Sequence, residues 1–160
     1  MSTVEPTGEP PPEAERDEPF GWAGPPAAFW AAGGWLTWMA GLVLMLSPFM
    51  GWYVGSGDGL TIAVTGWHTG TLGKLVFVLG AAVVILALLH ELDIELPPAV
   101  PESLVVVVIG ALATIFVLIR LISIPDRFFP WDGRGIGIWI ALVAAIGVIV
   151  AGILRASEEL

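Results

Sequence analysis

The sequence predicts an all-α membrane protein, a four-transmembrane-helix bundle with a short interfacial β-hairpin in its first loop. Three observations lead there. Of 160 residues, 56% are hydrophobic and 13% charged, with a mean hydropathy of +0.87, whereas an average soluble domain carries about 25% charged residues. The apolar residues gather in four segments, roughly residues 31–50, 71–90, 103–123 and 135–154. Each is close to the ~20 residues that a helix rising 1.5 Å per residue needs to cross a ~30 Å hydrocarbon layer. The eight tryptophans also sort by side: Trp22, Trp30, Trp35 and Trp38 lie toward one set of span ends, and Trp52, Trp67, Trp131 and Trp139 toward the other. Amphipathic indoles at two headgroup layers give this pattern.

Taken in chain order, residues 1–28 hold seven of the thirteen prolines and six acids against one base, Arg16. Such a stretch cannot bury enough apolar surface to offset the cost of ordering it, so it is expected to be a disordered tail. It lacks the basic and apolar regions of a cleaved signal peptide, so it is expected to stay on the chain. Residues 29–156 form the predicted transmembrane domain, followed by a C-terminal tail at 157–160. The first span ends near Pro48. In the loop after it, Trp52-Tyr53-Val54 and Leu60 to Trp67 flank Gly55-Ser56-Gly57-Asp58-Gly59, two β-prone runs about a Gly/Asp turn, which predicts the hairpin. Pro97, Pro98 and Pro101 fill the link between spans two and three, and Pro125 and Pro130 follow span three. No proline falls at mid-span, so no helix has to break. The valine run Val105 to Val108 is predicted helical despite its β propensity, because an open sheet edge is not viable in lipid. Four crossings place both termini on one side.

Charge separates the two ends of the bundle. The termini and the 91–102 link carry twelve acids and two bases, a net of −10, while the other loops carry three acids and four bases, a net of +1. The count of Lys and Arg near span ends favours cytoplasmic loops with the termini outside. Lys74 and Arg120 sit within span ends, where they snorkel, so charge leaves the orientation open.

The chain has no Cys, which excludes disulfides, thiolate metal sites and thiol nucleophiles, and no Asn or Gln. Ionisable groups are nearly absent at mid-depth, so no relay for coupled transport is offered. His68, Asp58, Asp126 and Asp132 show no tight i, i+3 or i, i+4 pairing of metal ligands, and no hydroxyl is tied by spacing to His68. One lysine and five scattered arginines make no basic stripe for nucleic acid. The expectation is therefore a protein that is not an enzyme, with no cofactor, no metal site and no nucleic-acid partner.

What remains is surface and packing. The loop-side residues Trp52, Trp67, His68, Arg120, Arg127, Trp131, Asp132 and Arg134 are the candidate lipid- or partner-binding set. The stretch Phe128-Phe129-Pro130-Trp131-Asp132-Gly133-Arg134 mixes rings with arginines that suit an anionic headgroup, and equally suits an aromatic belt with snorkelling arginines. The hairpin reads as a ligand platform or as a Trp-anchored lid. Small residues at four-residue spacing, Gly33, Thr37 and Gly41, Gly110 and Thr114, and Gly137, Ala141 and Ala145, are the candidate helix-packing positions, since close backbone approach gives helices attraction in lipid. Ser47 to Trp52 faintly repeats in Phe128 to Trp131, each after an odd-numbered span, which suggests two related hairpins.

Pro48-Phe49-x-x-Trp52, the Gly-rich hairpin, Thr65-Gly66-Trp67 and Gly73-Lys74-Leu75 opening the second helix resemble a loosely defined group of small four-helix bacterial membrane proteins of actinobacterial type, with a variable disordered N-terminal tail. The resemblance covers about residues 33–156. It implies a cytoplasmic N-terminus, against the charge count, and brings no catalytic residues. The expected role is a scaffold, regulator or accessory subunit of a membrane complex in the bacterial cell membrane. Its partners would be the bilayer and another membrane protein or a second copy. The alternative is a lipid or small apolar-ligand binder or transporter working at the Trp/Arg-rich loop face.

Overall fold

The computed structural model describes residues 27–57, 59–94, 97–123 and 131–159. The expected tail lies almost wholly outside them. Four helices are present: α1 (Ala27–Leu46), α2 (Thr71–Glu91), α3 (Glu102–Ile122) and α4 (Ile136–Glu159). α1 stops before a 3-10 turn, Ser47–Phe49, because Pro48 disfavours helical geometry at the residue before it and has no N–H to continue the ladder. α4 runs to Glu159, past the expected end at 154, since Arg155 pairs with Glu102 and Glu159 accepts from Ser103, which hold the last turns. α2, α3 and α4 are long and apolar enough to cross a membrane, with mean hydropathies of 2.6, 2.8 and 2.7, whereas the apolar helical stretch Gly33–Phe49 is shorter. Four near-equal spans thus become three full-length apolar helices and one shorter one.

The helices pack in a ring. α1 lies against α2 and α4, and α3 against α2 and α4, so each sequence neighbour is also a spatial one, as short connections require. The interior holds small and β-branched side chains: Thr37, Ala40, Leu44, Val76, Val83, Val106, Ala113, Val117, Ala141, Ala145 and Val148 are buried. Most bulky aliphatics point outward instead. Ile85, Leu104, Ile115, Ile122, Ile146 and Ile153 are exposed, while Leu44 and Ile138 are buried, so the size order is largely the reverse of that of a bundle in water.

Close approach explains the small residues. A β-carbon on Gly80 of α2 would lie 2.5 Å from the Met45 backbone nitrogen, so α1 and α2 touch backbone to backbone there. Across α3 and α4 the contact is reciprocal: a β-carbon on Gly110 would meet Ile149 N at 3.0 Å, and one on Gly152 would meet Val107 N at 3.0 Å. Among the sequence-predicted positions, Gly33 faces Leu154 and Arg155 of α4, and Gly41 faces Val83 of α2. Ala141 and Ala145 are buried. Gly137 packs on Met50 and Gly51, so it seats the loop rather than a helix. Thr37 and Thr114 return their hydroxyls to Gly33 O and Gly110 O of their own helices, both at 2.8 Å. They pack against neighbours and do not link to them by hydrogen bonds.

The loop after α1 is a hairpin of β1 (Gly51–Gly57) and β2 (Leu60–Thr65). Gly57 pairs with Leu60, which leaves a two-residue connection, and Gly59 has φ 79°, a left-handed geometry that glycine adopts without steric cost. A further strand, β3 (Trp131–Arg134), pairs antiparallel with the free edge of β1, giving the order β2-β1-β3. The second loop was expected as an aromatic and basic stretch, and not as a strand. The faint repeat is therefore expressed, in the described residues, as one strand joining the first loop's sheet; a second hairpin is not formed there.

Candidate functional site

The three-stranded sheet sits over the loop end of the bundle and brings most of the loop-side candidates together. Trp52 is fully enclosed. Its indole Nε1 donates to Ser47 O at 2.9 Å, and a β-carbon on Gly66 would fall 2.5 Å from the ring, so glycine at 66 is what lets the strand close over the indole. Trp52 belongs to the support of this face and offers no surface to a ligand. Trp67 is half-buried: it stacks on Phe49 with ring centres 5.3 Å apart and meets Phe77 edge-on at 5.5 Å. The Lys74 ammonium lies 5.7 Å from the Trp67 ring centre, a cation–π distance. His68 is exposed and its Nδ1 is 2.8 Å from Thr65 Oγ1.

The centre of the site is the end of α3. The last four carbonyls of a helix have no partner within it, and here three of them are met, by the cap residue Ser123 and by two side chains of the sheet. Ile119 O accepts from Ser123 N at 2.8 Å, Arg120 O accepts from the Tyr53 hydroxyl at 2.6 Å, and Leu121 O accepts from Arg134 Nε at 2.6 Å. Arg120 in turn donates from Nη2 to Thr69 O, tying α3 to the chain just before α2. Its Nε is buried without a hydrogen-bond partner among the described residues. Both guanidinium groups stand at a helix C-terminus, where positive charge complements the macrodipole. Burial pushes the Tyr53 phenol above its usual range, and the positive charges of Arg120 and Arg134 partly offset that.

Tyr53 was absent from the candidate set. The available signal was the end of the third span, whose last carbonyls demand donors. Trp131 and Asp132 contribute backbone to β3, and Arg127 lies outside the described residues. The loop-side set thus divides: Arg134 caps α3, Arg120 ties α3 to Thr69, Trp52 is enclosed and bound to Ser47 O, and Trp67 with Lys74 forms an aromatic corner.

A second polar cluster lies at the other end. Arg155 is 6% exposed, and its Nη1 donates to Glu102 Oε1 at 2.6 Å. Glu102 Oε2 is 3.2 Å from His90 Nδ1, and Ser103 Oγ donates to Glu159 Oε2 at 2.8 Å. This joins the end of α2, the start of α3 and the end of α4. No group of three or more metal-ligating side chains occurs among the described residues. Comparison of the chain with known protein families, with curated proteins and with solved structures gave no match.

Proposed function

We propose that the protein is a four-span integral protein of the bacterial cell membrane that acts without catalysis, as a scaffold, regulator or accessory subunit of a membrane complex. The observation that carries this reading is the largely inverted size order of the bundle, with most large aliphatics outside and small residues inside. Water disfavours such a surface, whereas lipid or a neighbouring helix accommodates it. Arg120 and Arg134 at one end and Glu102 and Arg155 at the other brace the fold, and the sides of the bundle are the larger working surface. Between α1 and α4 an apolar groove of about 420 Å³ is lined by Leu36, Met39, Val43, Trp139, Val143 and Gly147, among others, and it suits a partner helix.

The spans are tested with two cysteines placed singly in this cysteine-free chain, Gly57→Cys and Ser157→Cys, and an impermeant thiol reagent. Labelling from opposite sides of sealed vesicles is expected; labelling from the same side overturns the topology. The partner role is tested by co-purification in mild detergent with and without Gly147→Phe, which fills the groove. A chain that is strictly monomeric and unaccompanied counts against the proposal. The aromatic corner of Trp67, Lys74 and Phe77 supports the second reading, lipid binding at the loop face. Native mass spectrometry with anionic lipid, comparing the parent chain with Lys74→Ala, separates the two.

A further inference from the structure

Between the beginning of α1 and the end of α2 lies a pocket of about 400 Å³ lined by Gly34, Trp35, Trp38, Met39, Leu42 and Glu91. Two indoles, a thioether, an aliphatic chain and one carboxylate line it. We infer that this pocket binds an alkylammonium group, with Trp35 and Trp38 as its aromatic wall and Glu91 as its counter-ion. The inference goes beyond the scaffold reading and concerns a separate place on the molecule.

Three physical arguments converge on that ligand. A quaternary ammonium is a bulky, weakly hydrated cation that is attracted to the π-face of tryptophan, so it enters a mainly apolar pocket that a small hydrated ion avoids. The carboxylate is available: Glu91 is exposed and makes no ion pair among the described residues, while His90 and Arg155 at the same end are both held by Glu102. Among the described residues, Glu91, Asp93, Glu102, Glu158 and Glu159 against Arg155 give this end a net charge of −4, which raises the local concentration of cations. The pocket also has an open floor. A β-carbon on Gly34 would meet nothing within 4 Å, so the glycine leaves space that no neighbour fills, and Trp35, 69% exposed, stands at its mouth. The volume falls within the range of about 300–1,000 Å³ common for small-ligand sites.

The ammonium has two sources, a choline headgroup of lipid or a free alkylammonium ion, and the test separates them. The full chain is labelled with fluorotryptophan and placed in nanodiscs of phosphatidylglycerol, and its fluorine resonances are assigned with Trp35→Phe and Trp38→Phe. Added choline chloride is expected to shift those two resonances, with sodium chloride at equal ionic strength leaving them in place. If choline in solution is without effect but nanodiscs of phosphatidylcholine shift the same two, the headgroup is the source. Glu91→Gln is expected to weaken the response by about fivefold, the order of one exposed charge contact. Gly34→Leu, whose β-carbon meets nothing within 4 Å, is expected to abolish it with unchanged helicity and a stability no lower than that of the parent chain. No shift from either source, or a response that survives both Glu91→Gln and Gly34→Leu, overturns the inference.

Discussion

Tyr53→Phe isolates the contact that fastens the sheet to the bundle. The substitution removes one hydroxyl and leaves the ring, so packing is preserved while the donor to Arg120 O, at 2.6 Å, and the hydroxyl's hydrogen bond with the Arg120 side chain are lost. A hydrogen bond contributes about 0.5–1.5 kcal/mol net, and a partly buried acceptor left without its donor costs about 1–3 kcal/mol. Tyr53 is fully buried, so water does not readily replace the hydroxyl, and a loss of about 1–2 kcal/mol is expected. Reversible unfolding in mixed micelles gives the total. Amide hydrogen exchange gives the location, because the last turn of α3 and the β1 amides are expected to lose protection while α4 keeps its own. Arg134→Ala removes the donor to the adjacent carbonyl, Leu121 O. The two changes act on consecutive residues of one helix end, so a double-mutant cycle is expected to show coupling of about 0.5 kcal/mol or more. A cost below about 0.3 kcal/mol, with unchanged exchange at the end of α3, refutes the capping argument.

Gly80→Ala places a carbon 2.5 Å from the Met45 backbone, forces α1 and α2 apart and is expected to cost about 1–3 kcal/mol; Gly34→Ala, with nothing within 4 Å, is expected to be neutral or to stabilise by about 0.5–1 kcal/mol in the same unfolding assay. Arg155→Met strands the Glu102 carboxylate and is expected to cost about 1.5–3 kcal/mol, while adding Glu102→Gln recovers part of it, so a double variant worse than the single overturns the pairing. Tyr53 is the single tyrosine of the chain, so phenolate absorbance at alkaline pH reports it alone. Its raised pKa means the unfolded chain ionises first, near the ordinary value of about 10. Stability is then expected to be unaffected by this group below about pH 10 and to fall above it, and titration of the native protein at or below the denatured value refutes the burial argument.

Much of the architecture was legible because transfer into an apolar medium is nearly additive along a chain. The second and third apolar segments match helices to within a residue or two, and Gly/Asp punctuation located the hairpin whose turn holds Gly59. Trp52 and Tyr53 show where this reasoning stops. Strict alternation would turn one of them outward, yet the irregularity between Gly51 and Tyr53 lets both be buried, and no pattern in the sequence announces it. The small-residue strips were visible, but Gly80 and Gly152, which meet the backbones of α1 and α3, stood outside the chosen positions because four-residue spacing does not say which strip faces a neighbour.

Apolar content, span lengths, proline boundaries and the opposed charge of the two ends followed from residues taken one at a time, since each contributes its own transfer energy wherever its partners are. The joining of Tyr53 to Arg120, 67 residues apart, and of Glu102 to Arg155, 53 apart, and the placing of Trp35, Trp38 and Glu91 around one pocket, emerged only once the helices were packed. Those contacts depend on which unsatisfied or complementary groups the ring of helices brings within a few ångströms, and many pairings compatible with the same hydropathy profile would have left them apart.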